Sequence, residues 1–279
     1  MDIVISAIAH RTGSTLVQRI FNRRERTLVW GEHGGALTHM AAGFAEAERF
    51  CRKGEKEKRA YLDSADKSAA WTARMSPSTA HLEAAVTASV RAFLDAFYRE
   101  LRQEKDLVGF KEVRYGRGEL DLVRAAYPEA RIVLLLRDPV DVWRSMPEWG
   151  RSLEELIADY NRRAVEYAEL SERPGFFLLR YEDVVTKAPE ALALLSELAR
   201  LTPAQITEVV DGKRLRSTRH EVRAEDVERI REHCAGAMER LGYAVDSVTS
   251  NGAGVQNPPP PPPLPPPPPP GKRLFTTLL

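Results

Sequence analysis

The chain has 279 residues, of which 43% are hydrophobic, so it is long enough to bury a large core. It carries 41 lysines and arginines against 40 aspartates and glutamates, a balance that argues against nucleic acid or a membrane surface as a partner. Two cysteines are too few for a disulfide framework, and no apolar stretch approaches the ~18 residues of a membrane span. These features predict a cytoplasmic protein with no membrane partner.

Short apolar runs separated by helical patterns dominate the first two thirds of the chain. The runs open the segment 3–15 and recur at residues 28–30, 107–110, 132–136 and 176–179. Helical spacing of apolar residues is found at residues 15–22, 80–104, 120–126, 152–172, 189–201, 203–210 and 224–241. This alternation predicts an α/β fold, with a parallel sheet of four to five strands flanked by helices and a helical C-terminal half.

Two segments depart from this alternation. Residues 52–73 are charge-dense and poorly periodic, which predicts an insertion of the kind that can form a flap over a binding site. Residues 258–270 are twelve prolines around one leucine and therefore predict a stiff polyproline II rod. We accordingly divide the chain into a folded domain at 1–245 and a polyproline-containing tail at 246–279. Such a tail has the chemistry that aromatic-grooved domains recognise, or it is an exposed spacer.

The first apolar run leads into a turn rich in glycine and hydroxyl side chains, and a helix follows. Backbone N–H groups of such a turn and the start of the helix bind anions. The lysine that grips the β- and γ-phosphates in a nucleotide triphosphatase is missing here. The turn is therefore predicted to hold a phosphate-like group without magnesium, through Arg11, Thr12, Gly13, Ser14 and Thr15.

A second candidate anion site follows the run at residues 132–136. Arg137 comes directly after this strand, and Asp138-Pro139 then makes a turn into a helix that contains Ser145. Ligands of open α/β sheets bind at the carboxyl ends of the strands, so Arg137 lies where its guanidinium can fork onto a phosphate. An isolated Arg-Asp-Pro is also common in surface turns, and it is the pairing with the first loop that favours a site.

Together, the two motifs resemble those of sulfotransferases that use 3′-phosphoadenosine 5′-phosphosulfate (PAPS). The resemblance covers about residues 3–185 and includes the stretch Arg180-Tyr181-Glu182-Asp183. It implies a P-loop-like sulfotransferase fold, with residues 11–15 around the 5′-phosphosulfate and with Arg137 and Ser145 on the 3′-phosphate. It also implies PAPS as co-substrate and no metal, because two anion cradles replace the metal-bound triphosphate.

Four residues are candidates for the transfer chemistry. Glu32 follows the second strand and resembles the glutamate base of carbohydrate and tyrosylprotein sulfotransferases, while the adjacent His33 is the alternative base. Lys111 ends the third strand, and by the same resemblance it would bind the sulfuryl or bridging oxygen. Glu112 is a weaker candidate for the base. Each of these side chains is also consistent with an ordinary surface or salt-bridge role.

The sequence leaves the acceptor open. A basic run at residues 213–220 includes Arg219, which by resemblance would help to cover the 3′-phosphate, although a solvated basic turn fits as well. The expected acceptor is a hydroxyl of a small molecule or carbohydrate, with a peptide tyrosine as an alternative. A P-loop kinase for a small metabolite shares the opening strand, loop and helix, and it is the alternative from another class.

Overall fold

The computed structural model describes residues 1–113, 115–146, 151–212 and 221–243. Its centre is a sheet of five parallel strands in the order β2-β3-β1-β4-β5. The strands are β1 (Ile3–Ala7), β2 (Thr27–Trp30), β3 (Leu107–Glu112), β4 (Arg131–Leu136) and β5 (Phe176–Arg180). The predicted α/β fold class is confirmed, and each predicted strand is present.

Helices cover both faces of this sheet. They are α1 (Ser14–Phe21), α2 (Ala36–Asp63), α3 (Thr79–Phe97), α4 (Arg117–Ala126), α5 (Pro139–Ser145), α6 (Leu153–Ser171), α7 (Tyr181–Thr186), α8 (Pro189–Ala199), α9 (Pro203–Asp211) and α10 (Ala224–Arg240). Side chains of α1, α8 and α9 form one core with Ile3 and Ile5 of the central strand, while those of α3, α4, α6 and α10 form another with Val4. Because both faces are buried, the strands are apolar at successive positions rather than at alternate ones.

The helix predicted at residues 80–104 ends earlier than predicted. The α-helix ends at Phe97, and only a short 3₁₀ turn at Arg102–Glu104 follows. Tyr98 is buried and stacks on Phe110 with ring centroids 5.4 Å apart, while Leu101 has a φ of 57°. The chain turns here because it must reach the start of β3, so the apolar spacing continues past the real end of the helix.

The charge-dense segment at residues 52–73 begins as a regular helix, because α2 continues to Asp63. In its first half Leu37 is buried and Met40 and Phe44 pack against the same core, but from residue 52 to Asp63 only Gly54 is buried, so this part lacks the apolar stripe by which periodicity identifies a helix. Its turns are linked instead by ion pairs one helical turn apart, such as Arg52 with Glu48 at 2.5 Å. Periodicity therefore predicts an insertion here but cannot reveal that half of it is helical.

Local sequence signals mark the start of three later helices. Ser152 and Glu155 form a capping box at the start of α6, and Pro189 and Pro203 occupy the first turns of α8 and α9. None of the helices that the structure describes is long and apolar enough to cross a bilayer. The predicted tail at 246–279 lies outside the described residues, so its separation from the domain stays a prediction.

Candidate functional site

The predicted anion loop connects β1 to α1 and has an unusual backbone. Arg11 has a φ of 67° and Gly13 a φ of 94°, and the buried Thr12 hydroxyl fastens the turn by donating to the Ala9 carbonyl at 2.6 Å. Gly13 occupies the N-cap position of α1 without a side-chain cap, and no acidic residue lies in the first turn. The first N–H groups of α1 therefore have the arrangement in which a helix start attracts an anion.

Tyr181, the first residue of α7, packs directly against this loop. A Cβ atom on Gly13 would lie 2.2 Å from Cδ2 of Tyr181, so only glycine fits this backbone position. The same ring lies under the Arg137 guanidinium, with 4.6 Å between the guanidinium carbon and the ring centroid. Tyr181 therefore lies between the two predicted anion sites. Tyr181 belongs to the motif at residues 180–183 but was not among the predicted site residues.

Arg137 and Ser145 are held against the loop by hydrogen bonds. Nη1 of the buried Arg137 donates to the Arg11 carbonyl at 2.6 Å, and Nε of Arg11 donates to the Ser145 carbonyl at 2.8 Å. The Ser145 hydroxyl donates to the Asp141 carbonyl within α5, at 2.8 Å. Nε of Arg137 is buried without a hydrogen-bond partner among the described residues. The structure thus brings the two motifs, about 125 residues apart in the chain, into one site.

Glu32 and Lys111 form an ion pair on the other side of the loop. Lys111 Nζ lies 2.5 Å from Oε1 of Glu32, with 9% of the lysine side chain and 32% of the glutamate side chain exposed. Lys111 belongs to β3, and Glu32 lies two residues beyond β2. Burial strengthens such a pair relative to one in water, and it leaves the carboxylate as the more accessible partner.

His33 has a different environment from that of Glu32. Nδ1 of His33 lies 2.6 Å from the Tyr98 hydroxyl, and Nε2 is hydrogen-bonded to Tyr115. Its ring is 5.0 Å from that of Phe110, centroid to centroid, in an edge-on arrangement. Burial raises the pKa of both tyrosine hydroxyls, which therefore stay neutral partners of the imidazole. Both ring nitrogens are thus engaged inside an aromatic cluster.

Glu112 is fully buried and forms hydrogen bonds with backbone groups. Its carboxylate accepts hydrogen bonds from the N–H groups of Gly35 and Val113, each at 2.9 Å. It therefore ties the loop after β2 to the end of β3.

A match to a known family bears on this geometry. The profile described as "Sulfotransferase family" matches residues 7–205, which is more than half of the chain. The chain belongs to the sulfotransferase family. The family and the enzyme class predicted from the two motifs are thereby confirmed. No curated protein matches this sulfotransferase.

Solved structures of sulfotransferases resemble this one at low identity. The sulfotransferase domain of the Synechococcus PCC 7002 olefin synthase is 14% identical, with 88% of this chain and 95% of that chain covered and a TM-score of 0.48. A sulfotransferase from Alicyclobacillus acidocaldarius is 16% identical, covers 86% and 93% of the two chains, and has a TM-score of 0.44. For one from Mycobacterium tuberculosis H37Rv the values are 16%, 84%, 76% and 0.45.

The remaining predictions about this sulfotransferase's site stay predictions. Arg219 lies outside the described residues, as does the rest of the basic run at 213–220. In the part of the chain that the structure describes, no three His, Cys, Asp or Glu side chains are grouped to hold a metal ion. The roles of residues 11–15, Arg137, Ser145, Glu32, His33 and Lys111, and the cytoplasmic location, stay predictions.

Proposed function

We propose that this sulfotransferase moves the sulfuryl group of PAPS to a hydroxyl of a small molecule or carbohydrate, with Glu32 as general base. The order of the strands carries the proposal. The loop after the central strand β1 is flanked by Arg137 after β4 on one side and by Lys111 and Glu32 after β3 and β2 on the other. Neighbouring strands are ~4.8 Å apart, so a phosphosulfate on the loop would have a cation and a carboxylate within reach.

The residues around the loop suit a donor with two separate anionic groups. Gly13 lets the Tyr181 ring pack directly against the loop, and the start of α1, which has no capping side chain and no acidic residue in its first turn, favours a negative charge. Arg137, buried with an unpartnered Nε and stacked on Tyr181, is a cation prepared for a second phosphate. PAPS would supply an activated sulfuryl group, and these side chains would bind and orient it.

Glu32 and Lys111 have different roles at the acceptor side of the site. Glu32 is half-buried and accessible, so its carboxylate can take the proton of an acceptor hydroxyl as the new O–S bond forms. Lys111 is fixed beside it and stabilises negative charge that develops on nearby oxygens during the transfer. We favour Glu32 over His33 as the base because the histidine has both ring nitrogens engaged by tyrosines.

Two alternatives make different predictions. A peptide-tyrosine sulfotransferase would use the same donor but modify a tyrosine-containing peptide in preference to sugars or small alcohols. A P-loop kinase would consume ATP with magnesium, although its loop would need the lysine that Gly13-Ser14 lacks. A panel of acceptors with radiolabelled PAPS distinguishes the first alternative from the main proposal, and magnesium-dependent ATP turnover would support the second.

The decisive experiment separates donor binding from transfer. Isothermal calorimetry with adenosine 3′,5′-bisphosphate in EDTA should show binding, which Arg137→Ala should weaken about ten- to hundredfold because a charged hydrogen-bond partner is lost. Glu32→Gln retains an oxygen for Lys111 and should bind normally, yet with the best acceptor it should lose about 10²- to 10⁴-fold in kcat.

Two surface residues in ion pairs serve as matched controls. Arg173→Ala breaks a pair with Asp121, and Glu208→Gln breaks one with Arg23, both remote from the loop, so neither should change binding or turnover. If the wild-type protein does not bind the bisphosphate, the donor proposal fails. If Glu32→Gln turns over normally, the assignment of the base fails.

A further inference from the structure

The peptide bond between Arg137 and Asp138 is held at both ends. The Tyr160 hydroxyl, from α6, donates to the Arg137 carbonyl at 3.1 Å, while the Asp138 N–H donates to Oε1 of Glu182 at 2.9 Å. With its carbonyl and its N–H both bound, the peptide plane cannot rotate without breaking a hydrogen bond away from bulk water. This plane sets the direction in which the Arg137 side chain leaves the end of β4.

Two of the supporting groups come from the C-terminal part of the domain. Arg231 of α10 forms an ion pair with Asp138 at 2.8 Å, and the Tyr243 hydroxyl donates to the second oxygen of Glu182 at 3.1 Å. Arg180 fixes the end of the same segment by donating to the Gly242 carbonyl at 2.5 Å. Residues 231 and 243 lie beyond residue 205, where the match to the family profile ends.

Asp138 links these contacts to the helix that follows it. Its carboxylate caps α5 by accepting from the Val140 N–H at 2.8 Å, while the other oxygen pairs with Arg231. Trp143 of α5 also reaches α10, since its indole N–H donates to Asp226 at 3.4 Å. The segment from Arg137 to the end of α5 is therefore bound to α10 at two points.

We propose that Arg231 and Tyr243 are positioning residues, which hold the 137–138 peptide so that Arg137 grips the 3′-phosphate of the donor. This inference rests on the proposed function of Arg137. Neither residue touches the donor in this scheme, because each acts through Asp138 or Glu182. Recognition of a phosphate by an arginine fork depends strongly on its angle, so a small rotation of this peptide costs affinity for that phosphate alone.

The test compares two nucleotides that differ only in the 3′-phosphate. Dissociation constants for adenosine 3′,5′-bisphosphate and adenosine 5′-monophosphate are measured by calorimetry on the full chain and on Arg231→Met and Tyr243→Phe. Each variant should weaken bisphosphate binding about three- to tenfold, the range for loss of one hydrogen bond, and change monophosphate binding less than about twofold. Arg231→Lys should restore part of the bisphosphate affinity.

Arg229 is the matched control, because it lies on the same helix, is similarly exposed, and pairs with Glu154 at 2.8 Å instead of with Asp138. Arg229→Met should leave both affinities unchanged. Equal weakening of both nucleotides in Arg231→Met and Tyr243→Phe would show a general loss of structure and overturn the proposal, as would unchanged selectivity in both. A wild-type protein with no preference for the bisphosphate would instead refute the proposed function itself, and this inference with it.

Discussion

Gly13 offers the sharpest test of the packing around the anion loop. In Gly13→Ala, the new methyl group would meet two strains at once. An alanine at a φ of 94° pays about 1–2 kcal/mol for the left-handed backbone. Its Cβ would also lie 2.2 Å and 2.4 Å from two carbons of the Tyr181 ring, and such overpacking costs about 1–3 kcal/mol. The sum is about 2–5 kcal/mol.

Gly34 separates the two contributions. It has a φ of 72°, but a Cβ there would meet no atom within 4 Å, so Gly34→Ala carries the backbone strain without the clash. Urea unfolding followed by circular dichroism should therefore show that Gly13→Ala loses about 1–3 kcal/mol more than Gly34→Ala. In a background of Tyr181→Ala the difference should disappear, because the ring is gone. Equal losses for the two glycines in the wild-type background would refute this account of the loop.

Two further predictions concern Glu182 and Gly236. Burial raises the pKa of Glu182 in the native protein. The stability advantage of the wild type over Glu182→Gln should therefore be greatest below the unfolded-state pKa near 4.5, and it should decrease as the pH rises through the native-state pKa. Urea unfolding of both proteins across this range checks it, and parallel pH profiles would contradict it. Gly236 lies inside α10 with open space around it, so Gly236→Ala should raise the unfolding free energy by about 0.5–1 kcal/mol. A lower melting temperature for this variant would count against that reasoning.

The sequence predicts best those features whose signals are short and local. Each predicted strand is present because apolar runs between turn residues leave little choice of structure. The anion loop and Arg137 were recognisable since each directly follows such a strand, and parallel strands deliver their ends to one edge of the sheet. The contact between Glu32 and Lys111 follows from the same rule once β2 and β3 are neighbours.

Contacts between distant parts of the chain could not be predicted in this way. Nothing in the spacing of Asp138 and Glu182 shows that the carboxylate accepts the N–H group, because the contact depends on how α7 leaves β5. The packing of Tyr181 on Gly13 is equally invisible, although a glycine in a loop does suggest a close approach. The contact of α10 with Asp138 is visible only in the folded protein, where α5, α6 and α10 come together.

The construction of α2 has a consequence for how this protein can change. Its outer turns depend on pairs such as Arg52 with Glu48, which belong to the helix itself and contribute little to the core. Screening by salt weakens such pairs, so raised ionic strength should loosen this helix before it affects the sheet. Substitutions of the exposed charged residues along those turns should change the folding free energy very little. Natural variation can therefore reshape the surface of α2 while the strand ends and the loop after β1 are left intact.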